Sequence, residues 1–391
     1  MYIEHTEEQK ALRQELRSYF RSLMTPELIE ATRSNEGGDA YKSVIRQIGQ
    51  DGWLALGWPK EYGGQGRGPM DQMIFFEEAQ FANAPLPFVT INTVAPAIMA
   101  HGSEEHKKFF LPKIAAGDLH FAIGYSEPGA GTDLASLKTT AQLEGDTWKI
   151  NGTKVFTSSA EAADYVWLAA RTDLEASRPH AGISIFMVAT DQPGFSYSPI
   201  HTVGDVRTNV SYYTDVTCPN DMICGSLNQG WRLITSQLNH ERVGLAAIGI
   251  YAYDIYQQVL QWASDTDASG ERAIDKPWVQ RALAEAYARL EAMRLMTWRM
   301  VWSMEHGEPE VAYASAMKAF STEGLIEVYR LLMDAVGPAS TLHRDSPGAA
   351  IRGELEAEYR QCQINTFGGG VVEVMRDLVA AFGLNMRAYS R

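Results

Sequence analysis

Three stretches of this chain hold residue types whose spacing could do chemistry. The first is residues 121–134, Phe-Ala-Ile-Gly-Tyr-Ser-Glu-Pro-Gly-Ala-Gly-Thr-Asp-Leu. A short apolar strand runs from Phe121 to Tyr125 and then turns through Pro128, Gly129 and Gly131. Two glycines and a proline let the backbone bend tightly and approach a ligand with its amides exposed, and Ser126 and Thr132 add hydroxyls. The same spacing also suits an ordinary strand-to-loop turn. The second is a carboxylate on an apolar stripe. Ile234, Leu238, Glu241, Leu245, Ile248, Ala252, Ile255 and Val259 follow spacings of 4, 3, 4, 3, 4, 3 and 4, one helical face on which every member but Glu241 is apolar. A carboxylate stripped of water there has its pKa raised toward that of a general base, unless an internal Arg neutralises it. The third is Gly368-Gly369-Gly370 between two helical patterns, either a helix-breaking linker or a turn whose backbone can approach a ligand and meet a developing oxyanion.

These stretches must be held by larger elements. Residues 1–120 read as helical: Glu7 to Leu23 carries Leu12, Leu16, Phe20 and Leu23 at helical spacing behind Thr6 as N-cap. Asp71 to Phe81 and Glu104 to Ala115 follow the same pattern, Leu86 to Ala100 reads as a buried helix, and Gly57 to Gly66 must be loop. From 121 to 225 the texture is that of short strands, at Tyr165 to Ala170, Ile183 to Ala189 and Asn209 to Asp215, with a hairpin signal at Asn151-Gly152. Helical periodicity returns from 226 to 391. The fold class is α+β, with an antiparallel β domain between an N-terminal helical domain and a C-terminal helical bundle.

The 391 residues are 45% hydrophobic and 21% charged, as in soluble globular proteins. A net charge of −14 and a pI near 5.2 argue against nucleic acid and anionic membranes as partners. They permit an anionic small molecule where local basic groups allow it. Three cysteines, Cys218, Cys224 and Cys362, match no zinc spacing and read as reduced thiols, and no metal site is expected. The charged N-terminus lacks a signal-peptide core, so a cytoplasmic location is expected.

Tyr125-Ser-Glu-Pro-Gly-Ala-Gly-Thr-Asp133 resembles the flavin- and substrate-binding signature of the acyl-CoA dehydrogenases, and Gly57-Trp-Pro-Lys-Glu-Tyr-Gly-Gly64 resembles another stretch of that family. The resemblance extends from Glu7 to Leu384. It implies that family's fold, with an N-terminal helical domain (1–120), a middle β domain (121–225) and a C-terminal four-helix bundle (226–391). It implies FAD as cofactor, held by Tyr125, Ser126, Gly131, Thr132, Phe156, Thr157, Ser158 and Gly369. Phe156-Thr-Ser158 is similar to the family's Trp-Ile-Thr segment, in which an aromatic ring packs on the isoalloxazine and a hydroxyl faces N5. Most members carry the catalytic base in a Tyr-Glu-Gly-Thr-like loop, and alignment puts Gly369 where that Glu would be. The isovaleryl and long-chain types carry it earlier, before an Arg, and here that residue is Glu241 in Leu238-Asn-His-Glu-Arg242. The resemblance therefore implies Glu241 as base, the Gly369 amide on the thioester carbonyl, and Thr132, Asn239 and Arg242 at substrate-contacting positions.

Two departures stand out. The family's Arg-x-x-Phe-Gly motif, which binds the pyrophosphate of a neighbouring subunit's FAD, is Glu271-Arg-Ala-Ile-Asp275 here, with Arg272 one residue away. A second such motif, Gln before a glycine-rich turn, reads Asp334-Ala-Val-Gly-Pro-Ala-Ser340. A chain with half of each flavin site resembles one subunit of the α2β2 dehydrogenases of actinobacterial steroid side-chain degradation. That implies a second acyl-CoA dehydrogenase-like partner and, from the family, electron-transfer flavoprotein as acceptor. Gly244, Ala246, Ala247 and Gly249 suit either close helix packing or room for a bulky acyl group. Two other readings fit the residues: a homotetrameric branched- or medium-chain acyl-CoA dehydrogenase, and a non-catalytic subunit supporting a catalytic partner. The retained flavin segments and Glu241 argue against the last.

Overall fold

The computed structural model describes residues 4–33, 35–235, 248–267, 269–307, 310–344 and 346–386. The chain divides into two compact units, Met1–Gln72 with Ala82–Thr202 and Arg207–Glu241, and Met73–Phe81 with Val203–Val206 and Arg242–Arg391.

In the first unit, α1 (Glu7–Leu23) starts where Thr6 accepts the Gln9 N–H and the Gln9 side chain returns to the Thr6 amide, a reciprocal cap; Leu12, Leu16 and Phe20 are buried. Then follow α2 (Pro26–Thr32) and α3 (Asp39–Gln50), whose Tyr41, Val44, Ile45 and Ile48 form its buried stripe. Next come α4 (Pro69–Phe81), which runs on into the second unit, and α5 (Ala95–His101), preceded by a wide helical turn at Thr90–Val94. Helix α6 (Glu104–Ala115) is capped by Ser103 and His106. Residues 57–66 are irregular apart from one tight turn at Lys60–Tyr62.

The sheet that follows has eight strands: β1 (Phe121–Gly124), β2 (Thr140–Glu144), β3 (Thr147–Val155), β4 (Tyr165–Arg171), β5 (Ile183–Ala189), β6 (Phe195–His201), β7 (Arg207–Pro219) and β8 (Ile223–Cys224). Their order is β6-β7-β3-β2-β4-β5-β8, with β1 beside β4. It differs from the sequence expectation in two ways. The sheet is mixed: β1 runs parallel to β4 over Phe121–Gly124 and Tyr165–Leu168, and β2 touches β4 in parallel at Thr140 and Arg171. The β2–β3 hairpin supplies the long crossover that a parallel pair requires. The hairpin itself turns at Gly145-Asp146, not at Asn151-Gly152, which lie inside β3. Gly152 marks a bulge against β7, and a Cβ there would come within 2.3 Å of Thr139 Oγ1. The Asn151 side chain caps Asp215 across the strands, donating to its carboxylate at 3.1 Å and accepting its N–H at 2.9 Å.

Helix α7 starts at residue 230 and is described as far as 235. In the second unit, α8 (Ile248–Ser264), α9 (Pro277–Glu305) and α10 (Val311–Val336) pack on one another, and α11 (Glu354–Cys362) and α12 (Val372–Leu378) pack on α10. Their core joins Ala252, Ile255 and Val259 of α8 to Leu283, Leu290 and Met293 of α9 and to Leu325, Val328, Tyr329 and Leu332 of α10. Cys218, Cys224 and Cys362 are free thiols pushed up to about 12 by burial, so they stay protonated and inert. No described helix is long and apolar enough to cross a membrane.

Candidate active site

In the first unit, β1 delivers the glycine loop. Its Phe121 ring is wedged among Phe110 of α6 and Tyr165 and Trp167 of the sheet, with centroids 5.4, 5.6 and 6.4 Å away. Beyond β1, the Tyr125 hydroxyl accepts the Trp167 indole N–H at 2.9 Å, and the Ser126 carbonyl accepts the Val155 N–H at 2.8 Å. Glu127 and Ala130 exchange backbone bonds of 2.9 and 3.1 Å, closing a tight turn through Pro128-Gly129. Nothing lies within 4 Å of the space a Cβ would take at Gly129 or Gly131. Gly131 and Thr132 are exposed at the tip, so the loop offers open backbone to whatever approaches it.

The base of the loop is tied by a buried ion pair that sequence reading did not anticipate. Lys154 of β3, wholly buried, donates to the Glu127 carboxylate at 2.8 Å and to the Tyr125 carbonyl at 3.0 Å. Glu127 also accepts the Lys138 and Thr139 N–H groups at 2.6 and 2.8 Å. Burial pushes the Lys154 ammonium down to about 8 against the pull of Glu127. Burial also pushes the Glu127 carboxyl up, but Lys154 and the donors at Thr139 and Lys138 outweigh it and hold it below its usual range. Glu127→Gln is therefore expected to leave an unpaired buried ammonium and to cost about 3–5 kcal/mol, read as an earlier urea midpoint. An unchanged midpoint would show that the pair does not hold the loop. Because Glu127 titrates below its ordinary value, its contribution is complete above that value and is lost as the pH falls through the lower, folded one. The one signal in the sequence was Lys154 itself, on the face of β3 that buries Trp148 and Ile150.

The Val155–Ser126 bond also brings the second flavin-like segment, Phe156-Thr157-Ser158, beside this loop. Phe156 has a left-handed backbone (φ +60°) and a ring that is 63% exposed. A bulky side chain in that region is strained, and such strain persists where neighbouring structure imposes it. Here Asn209 imposes it: its carbonyl accepts the Thr157 N–H at 2.9 Å and its side chain donates to the Thr157 carbonyl at 3.2 Å. Thr157 points into the sheet, where its hydroxyl meets Ser211 Oγ at 2.8 Å. Ser158 is exposed, and its hydroxyl meets the Thr208 hydroxyl at 3.0 Å. An exposed aromatic face, an outward hydroxyl and open glycine backbone fit one edge and face of a flat, polar-rimmed ring such as isoalloxazine.

In the second unit, Gly368-Gly369-Gly370 forms a turn between α11 and α12 with φ of +67° at Gly369 and +107° at Gly370, conformations natural only to glycine. The Gly368 N–H donates to the Ile364 carbonyl at 2.9 Å. The ammonium of buried Lys318, on α10, donates to the carbonyls of both Gly368 and Gly370. Arg272 is held by Asp275 through two bonds, of 3.0 and 2.7 Å. Gly337 (φ +79°) ends α10, its N–H donating to Met333 at 2.8 Å. Asn239, Glu241 and Arg242 lie outside the described residues, as do Gly244, Ala246 and Ala247.

Three family models cover most of the chain. The acyl-CoA dehydrogenase N-terminal domain matches residues 6–118, the middle domain 122–215 and the C-terminal domain 228–384. The acyl-CoA dehydrogenase FadE26 of Mycobacterium tuberculosis is 51% identical, over all of both chains. Among solved structures, the ChsE4-ChsE5 complex of Mycobacterium tuberculosis contains a chain 51% identical, with a TM-score of 0.93 covering 99% of this chain and 100% of that one. The Tcur3481-Tcur3483 steroid ACAD is 49% identical, with a TM-score of 0.94 and the same coverage.

Proposed function

This chain belongs to the acyl-CoA dehydrogenase family, and from that premise we propose that it oxidises a steroid side-chain CoA ester to the 2-enoyl-CoA as one subunit of an α2β2 heterotetramer with FAD. The observation that carries the assembly is the state of Arg272. Its guanidinium is engaged along one edge by the Asp275 carboxylate, within a loop where Glu271 stands in place of the motif's Arg. That fork takes up one edge of the guanidinium and sets a carboxylate beside it, which weakens Arg272 as a partner for a pyrophosphate. The second trans position, Asp334, precedes the helix end at Gly337 and brings a negative charge where the family has Gln. The partner subunit then supplies the missing contacts, in keeping with two relatives, the first named as the ChsE4-ChsE5 complex and the second as the Tcur3481-Tcur3483 steroid ACAD.

Tyr125, Ser126, Gly131, Thr132, Phe156, Thr157 and Ser158 form this chain's half of the cofactor site. When bound, FAD supplies the hydride-accepting chemistry of the reaction. Glu241 takes the α-proton on its carboxylate, and the departing β-hydrogen leaves a double bond conjugated with the thioester. The Gly369 amide donates to the thioester carbonyl, where charge develops as the α-proton departs. Thr132, Asn239 and Arg242 hold the CoA ester, and the exposed Phe156 ring would pack on the isoalloxazine when FAD is bound. A cytoplasmic enzyme of this kind would pass its electrons to an electron-transfer flavoprotein.

Substrate class is read by comparing turnover of a steroid side-chain CoA ester with that of octanoyl- and palmitoyl-CoA. The steroid ester is expected to react at least about 100-fold faster by kcat/KM, since a poorly filled pocket forfeits about 3 kcal/mol of transition-state binding. Faster turnover of the straight-chain esters would refute the steroid assignment.

A further inference from the structure

The buried Lys318 is not used by any step above, and its position relative to the glycine turn has a directional consequence. Lys318 is 2% exposed on α10, four residues before Thr322, whose hydroxyl bonds the Lys318 carbonyl at 2.9 Å. Its ammonium takes the carbonyls of Gly368 and Gly370, one on each side of Gly369. The described chain has no cis peptide bonds. In a trans peptide the C=O of one residue and the N–H of the next point in opposite directions. With the Gly368 carbonyl turned onto Lys318, the Gly369 N–H must point away from it. The same holds for the Val371 N–H beyond the Gly370 carbonyl. The Gly368 N–H is already spent on Ile364, whereas the Gly369 N–H meets no acceptor among the described residues. A positive charge on a peptide oxygen also draws electrons through the amide and strengthens its N–H as a donor.

We propose that Lys318 is a positioning residue: by clamping the carbonyls on both sides of Gly369 it aims the Gly369 N–H at the thioester carbonyl and polarises it. The inference rests on the reading of Gly369 as the carbonyl donor. Lys318 touches neither substrate nor cofactor in this role; it acts through the backbone. The left-handed turn is the other half of the device, since φ values of +67° and +107° let two carbonyls converge on one ammonium.

The test uses the flavin-loaded holoenzyme in three forms: wild type, Lys318→Met and Lys318→Gln. Two ligands are compared, an acyl-CoA thioester and its thioether analogue with CH2 in place of the carbonyl. A 13C=O label gives the infrared stretch of the bound thioester. The wild type is expected to prefer the thioester by about tenfold or more and to lower the carbonyl stretch, as a charge-assisted hydrogen bond does. Lys318→Met is expected to lose most of that preference and of the infrared shift, and to lower kcat by about 10- to 100-fold, short of removing an oxyanion donor outright. Thioether binding should hold within about twofold, because no carbonyl contact is at stake. Lys318→Gln keeps donors without the charge, should fall between, and carries the test if the Met variant does not fold. Unchanged preference and carbonyl stretch in a folded variant would overturn the role of Lys318 while leaving Gly369 in place. A wild type with neither preference nor shift would remove the Gly369 reading, and the inference with it.

Discussion

Glu241→Gln is expected to leave flavin and acyl-CoA binding intact and to lower turnover by about 10²–10⁴-fold, the usual worth of a positioned general base. The amide keeps the shape of the carboxyl group and cannot take the α-proton. The motive is the stripe on which Glu241 lies, whose members Ile234, Ala252, Ile255 and Val259 are 0–6% exposed. By sequence spacing alone, a carboxylate on such an apolar stripe is the expected place for a general base. Glu241→Asp, one methylene shorter, should retain partial activity. Adding Gly369→Glu to Glu241→Gln should not restore the rate, because Gly369 sits at φ +67° and its neighbouring carbonyls are tied to Lys318. A side chain forced there costs about 1 kcal/mol or more and disturbs the aim of the backbone N–H at that position. Steady-state turnover with an artificial electron acceptor, alongside the flavin absorbance, measures all of this. Activity above about a hundredth of wild type in Glu241→Gln would assign the base elsewhere.

The second large effect concerns flavin content. Expressed alone, this chain is expected to be nearly colourless; co-expressed with a dehydrogenase-like partner that keeps Arg-x-x-Phe-Gly, it should carry FAD at each interface between unlike subunits. Each lost charge-assisted contact to a phosphate is worth about 1.5–3 kcal/mol, and two trans motifs are altered here, so affinity should fall by about 10²–10⁴-fold without the partner. Asp275→Gly together with Glu271→Arg frees Arg272 and adds the motif's cation, and should raise flavin retention in the isolated chain. The absorbance ratio at 450 and 280 nm, with the mass of the assembly, decides the matter. A stoichiometrically yellow homotetramer from this chain alone would sink the heteromeric reading.

Much of the architecture was legible in the residues. Thr6 and the spacing of Leu12, Leu16 and Phe20 located α1, Glu104 to Ala115 located α6, and the run Ile183 to Ala189 located β5, because caps, periodicity and β-branched content act within a few residues. The motif around Tyr125 to Asp133 and the substitutions at Glu271 and Gly369 were enough to name a family and to suggest a divided flavin site. The tertiary structure decided what depends on distant neighbours. Asn151-Gly152 has the composition of a hairpin turn, yet Thr139 crowds Gly152 and Asp215 holds Asn151, so both stay within β3. The parallel pairing of β1 with β4 follows from a crossover that no local pattern announces. Glu127, Lys154 and Lys318 are ordinary surface residue types by composition, and their partners lie far off in sequence: Glu127 and Lys154 are 27 residues apart, and Lys318 and Gly368 are 50 apart. Only the folded chain removes their water, and a charge without water must be answered by whatever polar group the fold brings to it.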